Sequence, residues 1–178
     1  MALIRSEQEL LVVFIDLSRF SAQSQKLTDV ELADAMDAHY RRVASAVEGV
    51  GGRLVKFVGD AALAVFEPQR VDVAVEMLLR LKEDVDRFFS ELGWECRAAV
   101  KVHFGSVVAG QFGAGATERF DVLGKQVNTA ATLTGPGVTL STEAFRKLGP
   151  EARRRFKKHT APITYIRQED PHRLRWDR

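Results

Sequence analysis

Two carboxylates stand where short apolar runs stop. Asp16 follows the run LLVVFI at 10–15, and Asp60 lies one glycine beyond RLVKFV at 53–58, just ahead of AALAVF at 61–66. A run of the first kind, short and rich in β-branched residues, reads as a strand buried on both faces, so Asp16 is expected where that strand leaves the core. The other two runs read as a hairpin closed by Gly59 and Asp60, because glycine accepts the positive φ that a type II′ turn requires at its first central position. Asp60 then sits at the hairpin's tip. If the hairpin pairs beside the first strand, both acids converge on one hard divalent cation, best suited to magnesium, with water and phosphate oxygens in its other positions. That is the outline of metal-assisted phosphoryl transfer. The plainer alternative is that Asp16 caps the segment starting at Ser18 and Asp60 is a turn residue only.

The elements that would hold these acids follow from periodicity. Thr28 and Glu31 form a capping box opening a helix that runs to about Val50, with Leu32, Met36, Tyr40, Val43, Val47 and Val50 on one face. Gly51 and Gly52 end it. A second amphipathic helix is expected over 68–92, where Ala74, Leu78, Leu81, Val85, Phe88 and Leu92 share a face and Gly93 suits the C′ position. Both stripes are core. Residues 95–103 and 106–112 read as two strands broken at Gly105, and 118–123 as a third. Residues 124–133 suit a short helix, 138–141 a strand, 142–148 a helix begun by Ser141 or Thr142, and 156–160 and 163–167 the last strands. The glycines at 113–115 lack the spacing of a nucleotide-cradling fingerprint and read as turn residues. Alternation without linker or repeat gives an α+β sandwich, one sheet covered by amphipathic helices in a single domain over 1–178.

Composition narrows the partners. The net charge of +2 in 178 residues, with both signs mixed along the chain, supplies no long-range field for nucleic acid or a membrane. The basic cluster at 153–158 reads as a solvated edge. One cysteine, Cys96, cannot form an internal disulfide and reads as a small buried apolar side chain suited to a reducing compartment. No signal-peptide pattern opens the sequence, and no apolar run approaches the ~20 residues that cross a bilayer. The expectation is a soluble cytoplasmic protein.

Three segments in register, 14–21 (FIDLSRFS), 51–66 (GGRLVKFVGDAALAVF) and 119–133 (RFDVLGKQVNTAATL), resemble the catalytic domain of class III nucleotidyl cyclases, the adenylate and guanylate cyclase family, over about 10–167. The resemblance implies a ferredoxin-like βαββαβ core with a C-terminal extension, and a cleft shared by two domains packed head to tail. A single catalytic domain would then form a homodimer. It also implies a two-metal site of magnesium or manganese on Asp16 and Asp60, with the Leu17 carbonyl as a further ligand and the backbone amides of Phe20 and Ser21 near the triphosphate. From the other subunit, Lys56 and Asp121 match the pair that reads adenine, an amine donor beside a ring-nitrogen acceptor, whereas guanine would favour a carboxylate at the lysine position. Asn128 matches the ribose-orienting asparagine. Read alone, Lys56 is equally a solvent-facing strand residue and Asn128 a polar residue on an exposed helix face. The activity implied is conversion of ATP to 3′,5′-cyclic AMP and pyrophosphate.

The chain also departs from the family pattern. Thr132 stands where a transition-state arginine is expected, Ala99 where a second phosphate-contacting arginine belongs, and Lys101 replaces a glycine. Threonine cannot act as a charged bidentate donor. The C-terminal phosphate-binding lysine aligns near His159, with Lys157 and Lys158 adjacent. Lys125, Asn128 and Thr132 fall at i, i+3 and i+7, so Lys125 shares the asparagine's helix face and is a candidate replacement cation. Two readings follow: a slow cyclase, or a catalytically degenerate cyclase-like domain that binds a nucleotide or a protein as sensor or scaffold.

Overall fold

In this computed structural model the described residues are 5–172. They form β1 (Arg5–Ser18), α1 (Phe20–Ser24), α2 (Asp29–Gly49), β2 (Arg53–Val58), β3 (Ala61–Phe66), α3 (Val71–Glu91), β4 (Arg97–Phe112), β5 (Arg119–Leu123), α4 (Lys125–Thr132), β6 (Val138–Ser141), α5 (Thr142–Lys147), α6 (Pro150–Arg153), β7 (Phe156–His159) and β8 (Thr164–Arg167). The sheet order is β2-β3-β1-β4-β6-β8-β7, with β5 pairing separately on β4. Strands β1 to β4, with helices in the first and third connections, make the ferredoxin-like βαββαβ core, and the remaining strands extend it past β4.

Local chemistry sets the helix ends. Thr28 accepts from the Glu31 amide while the Glu31 carboxylate reaches back to the Thr28 amide, the capping box read from the sequence. At the end of α3, Gly93 takes φ +74 and its amide donates to Ser90, while Trp94 donates to the Phe89 carbonyl and its ring stacks on Phe89 at 5.2 Å. That is a Schellman closure with its apolar contact. Ser141 begins α5 by accepting the Ala144 amide at 3.1 Å.

Several boundaries differ from the sequence reading. β1 does not stop at Ile15: it runs to Ser18, held by pairing of Asp16, Leu17 and Ser18 with Ala99, Ala98 and Arg97. Pairing rather than burial carries its polar ends. β4 is one unbroken strand through Gly105, where a Cβ would fall 2.8 Å from the Gln126 side chain. This glycine marks a helix lying close on the strand and not a turn. α3 starts at Val71 behind a 3-10 turn at Pro68–Arg70, and Leu92, expected in its core stripe, is 46% exposed. The last two strands are shorter than expected, leaving Thr160 and Ile163 outside them. The basic cluster spans the end of α6 and the outermost strand β7, an edge as read.

The two sheet faces are unequally covered. One packs Leu11, Val13, Ile15, Val100 and Val102 against α2 and α3, and fully burying each large aliphatic there contributes roughly 1.5–3 kcal/mol. The other holds a smaller cluster, Leu10, Val12, Leu63, Val65, Val107 and Val122, roofed by α4 through Ala130. Phe14, Val55 and Phe120 are only half-buried on that side, and Val58 is exposed there. Asp16 and Lys101 project from this thinner face, because residues paired directly across β1 and β4 share a face and alternate positions repeat it. Among the described residues no helix is long and apolar enough to cross a membrane.

Candidate active site

β3 pairs with β1 only as far as Ile15 opposite Ala62, while β4 continues to hold β1 on its other edge. Past Ile15 the β3 side of β1 is open, and the hairpin tip fills it. Gly59, at φ +60, turns the chain as the sequence predicts and puts Asp60 against the strand. The Leu17 amide donates to Asp16 Oδ1 at 2.9 Å and to Asp60 Oδ2 at 3.3 Å, so the two carboxylates meet around one backbone N–H. Burial and the neighbouring Asp16 push the Asp60 carboxyl above the usual carboxylate range. Two hard oxygen donors that repel each other fit a divalent cation, whose charge removes the repulsion. Among the described residues no cluster of three or more His, Cys, Asp or Glu side chains forms a cage. An ion here would take these two carboxylates and leave its remaining positions to solvent and a ligand's phosphate oxygens, the habit of magnesium and manganese.

The tip is tethered from behind, by a residue that the sequence reading placed only in the core. The Tyr40 hydroxyl of α2 donates to the Gly59 carbonyl, and its ring stacks on Phe57 at 4.0 Å. Burial and the Asp60 charge raise the Tyr40 hydroxyl's pKa, which keeps it a donor. Tyr40→Phe keeps the stack and frees the tip. Turnover should fall about 3–10-fold, with a stability loss of about 1 kcal/mol by denaturant titration, the worth of one such hydrogen bond.

A second pair lies on β2 and β5. A register shift between Leu54 and Lys56 puts Val55 into the thinner-face cluster and Lys56 opposite Leu63 of the same cluster. Lys56 Nζ then reaches Asp121 Oδ2 at 2.6 Å, with side-chain exposures of 31% and 9%. Asp121 Oδ1 accepts the Val122 amide at 2.8 Å, so the acceptor is fixed by backbone and the donor rides on a flexible stem. A planar ligand edge with a donor beside an acceptor can open this pair and satisfy both groups.

α4 lies antiparallel to β4. Gln126 covers Gly105 and its Oε1 accepts from His103 Nε2 (2.8 Å), while Lys101 Nζ donates to the Ala131 carbonyl at 2.9 Å near the helix's other end. His103 is buried and its Nδ1 meets Ser141 Oγ at 2.9 Å, which links α4 through β4 to the start of α5. Nothing in the residue pattern signals this bridge beyond the capping serine. Asn128 is exposed on α4; Thr132 donates to the carbonyls of Asn128 at 2.9 Å and Thr129 at 3.3 Å, so its hydroxyl is turned onto its own helix. Lys125 is exposed in the first turn, at the end of α4 away from the Asp16–Ala99 pairing, so within one chain it does not join the acids. Phe20 and Ser21 open α1, directly after Arg19, which takes φ 62. Lys157, Lys158 and His159 sit on β7, separated from β1 by β4, β6 and β8; Lys157 Nζ is held by the Gln168 carbonyl at 2.6 Å.

Comparison with known proteins agrees with this geometry. Residues 4–156 match the family described as the adenylate and guanylate cyclase catalytic domain. Relatives include "Adenylate cyclase 2" of Rhizobium meliloti (strain 1021), 25% identical over 92% of this chain and 45% of that protein, and "Adenylate cyclase" of Anabaena cylindrica, 24% identical over 73% and 28%. The chain thus spans less than half the length of these two relatives. Among solved structures, a bacterial light-regulated adenylyl cyclase matches with TM-score 0.84 at 18% identity over 94% of this chain and 53% of that one. The adenylyl cyclase CyaB from P. aeruginosa matches with TM-score 0.80 at 18% identity over 91% and 94%, and the guanylyl cyclase Cya2 with TM-score 0.76 at 18% over 90% and 91%. With a ferredoxin-like core, paired acids at the hairpin tip and a match over most of its length, the chain belongs to the class III nucleotidyl cyclase catalytic-domain family.

Proposed function

We propose that this domain converts ATP to 3′,5′-cyclic AMP and pyrophosphate in clefts shared by two copies of the chain. The observation that supports it most is the meeting of Asp16 and Asp60 around the Leu17 amide. Magnesium or manganese bound there would lower the pKa of the ribose 3′ hydroxyl and offset charge on the phosphate oxygens. In the reaction the 3′ oxygen bonds to the α-phosphorus, the bond from that phosphorus to the β-bridging oxygen breaks, pyrophosphate leaves with the electron pair, and the hydroxyl proton passes to solvent.

The chain's own residues orient these atoms. Asp16 and Asp60 would hold the magnesium or manganese, with the Leu17 carbonyl beside them, and the Phe20 and Ser21 amides would face the triphosphate. From the second subunit Asp121 accepts from the adenine amine, Lys56 donates to the ring nitrogen, and Asn128 orients the ribose. Homodimerisation has support in the half-buried Phe14, Val55 and Phe120 on the thinner sheet face.

The test is incubation of the protein with each of ATP, GTP, CTP and UTP and manganese, with chromatographic detection of cyclic product. Cyclic AMP from ATP, dependent on metal, is the expected result. Absence of product from every nucleotide, together with metal-independent nucleotide binding, would favour the degenerate, sensor-like reading that Thr132 and Ala99 suggest. Base choice has its own test. Lys56→Glu leaves Asp121 facing a second carboxylate, and kcat/KM for ATP should fall by about 10²-fold or more while that for GTP falls less, narrowing the ratio between them.

A further inference from the structure

We propose that Lys101 is the phosphate-binding cation of this site, carrying the charge that Ala99 cannot. The inference rests on the proposed cyclase reading. Lys101 is half-buried, stands opposite Phe14, and is two residues along β4 from Ala99, the direct partner of Asp16. It therefore shares the face of the metal-binding acid and is its diagonal neighbour, about 7–8 Å away between Cα atoms by ordinary sheet geometry. The ammonium does not fold onto that acid. It donates to the Ala131 carbonyl at 2.9 Å, so α4 of its own chain holds the charge in place on that face.

What the ammonium lacks is as informative as what it touches. Lys56 and Lys82 are also half-buried, and each has a carboxylate, Asp121 at 2.6 Å and Asp86 at 2.5 Å, whereas half-buried Lys157, on the distant strand β7, is held like Lys101 by a carbonyl, that of Gln168. Among the described residues no carboxylate lies within 4.0 Å of Lys101 Nζ. A partly desolvated cation whose one acceptor is a neutral carbonyl gains most from an anion, and its remaining N–H groups are free to donate to one. Ala99 has nothing to offer, and Arg97, the other β4 cation on the Asp16 face, donates to the Trp94 and Cys96 carbonyls, so Lys101 is the cation that α4 holds against β4 beside Asp16. A nucleotide whose metal is held by Asp16 brings its phosphates to that place. As a point charge, lysine would stabilise the growing negative charge on the transferring phosphoryl group without the bidentate geometry of arginine.

The test separates charge from helix anchoring. Lys101→Gln keeps a side-chain N–H to the Ala131 carbonyl without the charge. It should lower kcat by about 10–100-fold with KM for ATP changed by less than about threefold, and an unchanged melting temperature. Lys101→Arg should retain at least about a tenth of the activity. Thr132→Arg placed in the Lys101→Gln chain should raise kcat at least about tenfold, since in a shared cleft the second copy's α4 then supplies a cation. Unchanged kcat in Lys101→Gln overturns the inference; so does a loss that neither Lys101→Arg nor Thr132→Arg repairs, which would assign Lys101 to fastening α4. The cyclase reading is judged separately, by metal-dependent product from the unaltered chain and its loss in Asp16→Ala. Absence of product from the unaltered chain overturns that reading and this role with it.

Discussion

Asp16→Ala and Asp60→Ala should each lower cyclic-nucleotide formation by about 10³-fold or more, among the largest losses expected of any single change in this chain. Among the described residues an ion here meets only two carboxylates, so each substitution removes half of the acidic donors and leaves a site too poor to hold magnesium against water. The loss should not come from unfolding. Asp60 is a turn residue with no requirement for positive φ, and alanine fits its backbone. Asp16 and Asp60 repel each other in a partly buried setting, so removing either relieves strain in the metal-free protein. Melting temperature without metal should therefore hold or rise slightly, while the stabilisation given to the unaltered chain by manganese and nucleotide disappears. The pairing of those two readouts distinguishes a lost ligand from a damaged fold. If Asp60→Ala turned over ATP within about tenfold of the unaltered chain, the metal role of the hairpin tip would be lost.

Mixing two inactive chains should restore activity. On the proposed reading Asp16→Ala loses the ion and Lys56→Ala loses the contact to the base. In a head-to-tail dimer each cleft takes its acids from one copy and its base-reading pair from the other. A mixed dimer then holds one cleft with both defects and one with neither. Equal amounts, freely exchanging, place half the chains in mixed dimers with one sound cleft each, so recovered activity should approach about a quarter of that of the unaltered protein. Each chain alone stays at its low background. A mixture no more active than the sum of its parts would show that both groups serve the same cleft from one chain, and the shared-cleft proposal would fall.

The sequence was most transparent where the backbone itself imposes the answer. The Gly59–Asp60 turn, the Thr28–Glu31 capping box and Gly93 at the end of α3 each need a residue type for a local reason, and each is found in place. Gly105 shows the limit. Read along the chain it looks like a break between strands; in space it is the gap that lets Gln126 lie on β4. Its cause is a residue 21 positions away, invisible to any window. The same holds for Tyr40, whose helical spacing announces core and hides the hydroxyl on the Gly59 carbonyl. Lys101 looked like a departure from pattern, and only the fold of α4 over β4 gives its ammonium a place. Asp16 and Asp60 were legible as a pair because their strand ends could be read separately. Lys56 and Asp121 needed the resemblance, since nothing local says that β2 and β5 approach.

The thinner face of the sheet has a consequence for how such a domain is run. Helices α2 and α3 seal one side, while α4 and β5 leave Phe14, Val55, Val58 and Phe120 incompletely covered on the other. If each copy carries only half of a working cleft, output in dilute solution grows with the square of protein concentration, and specific activity falls on dilution. Anything that tethers two copies, or wedges them apart, then acts as a throttle without touching a single atom of the chemistry.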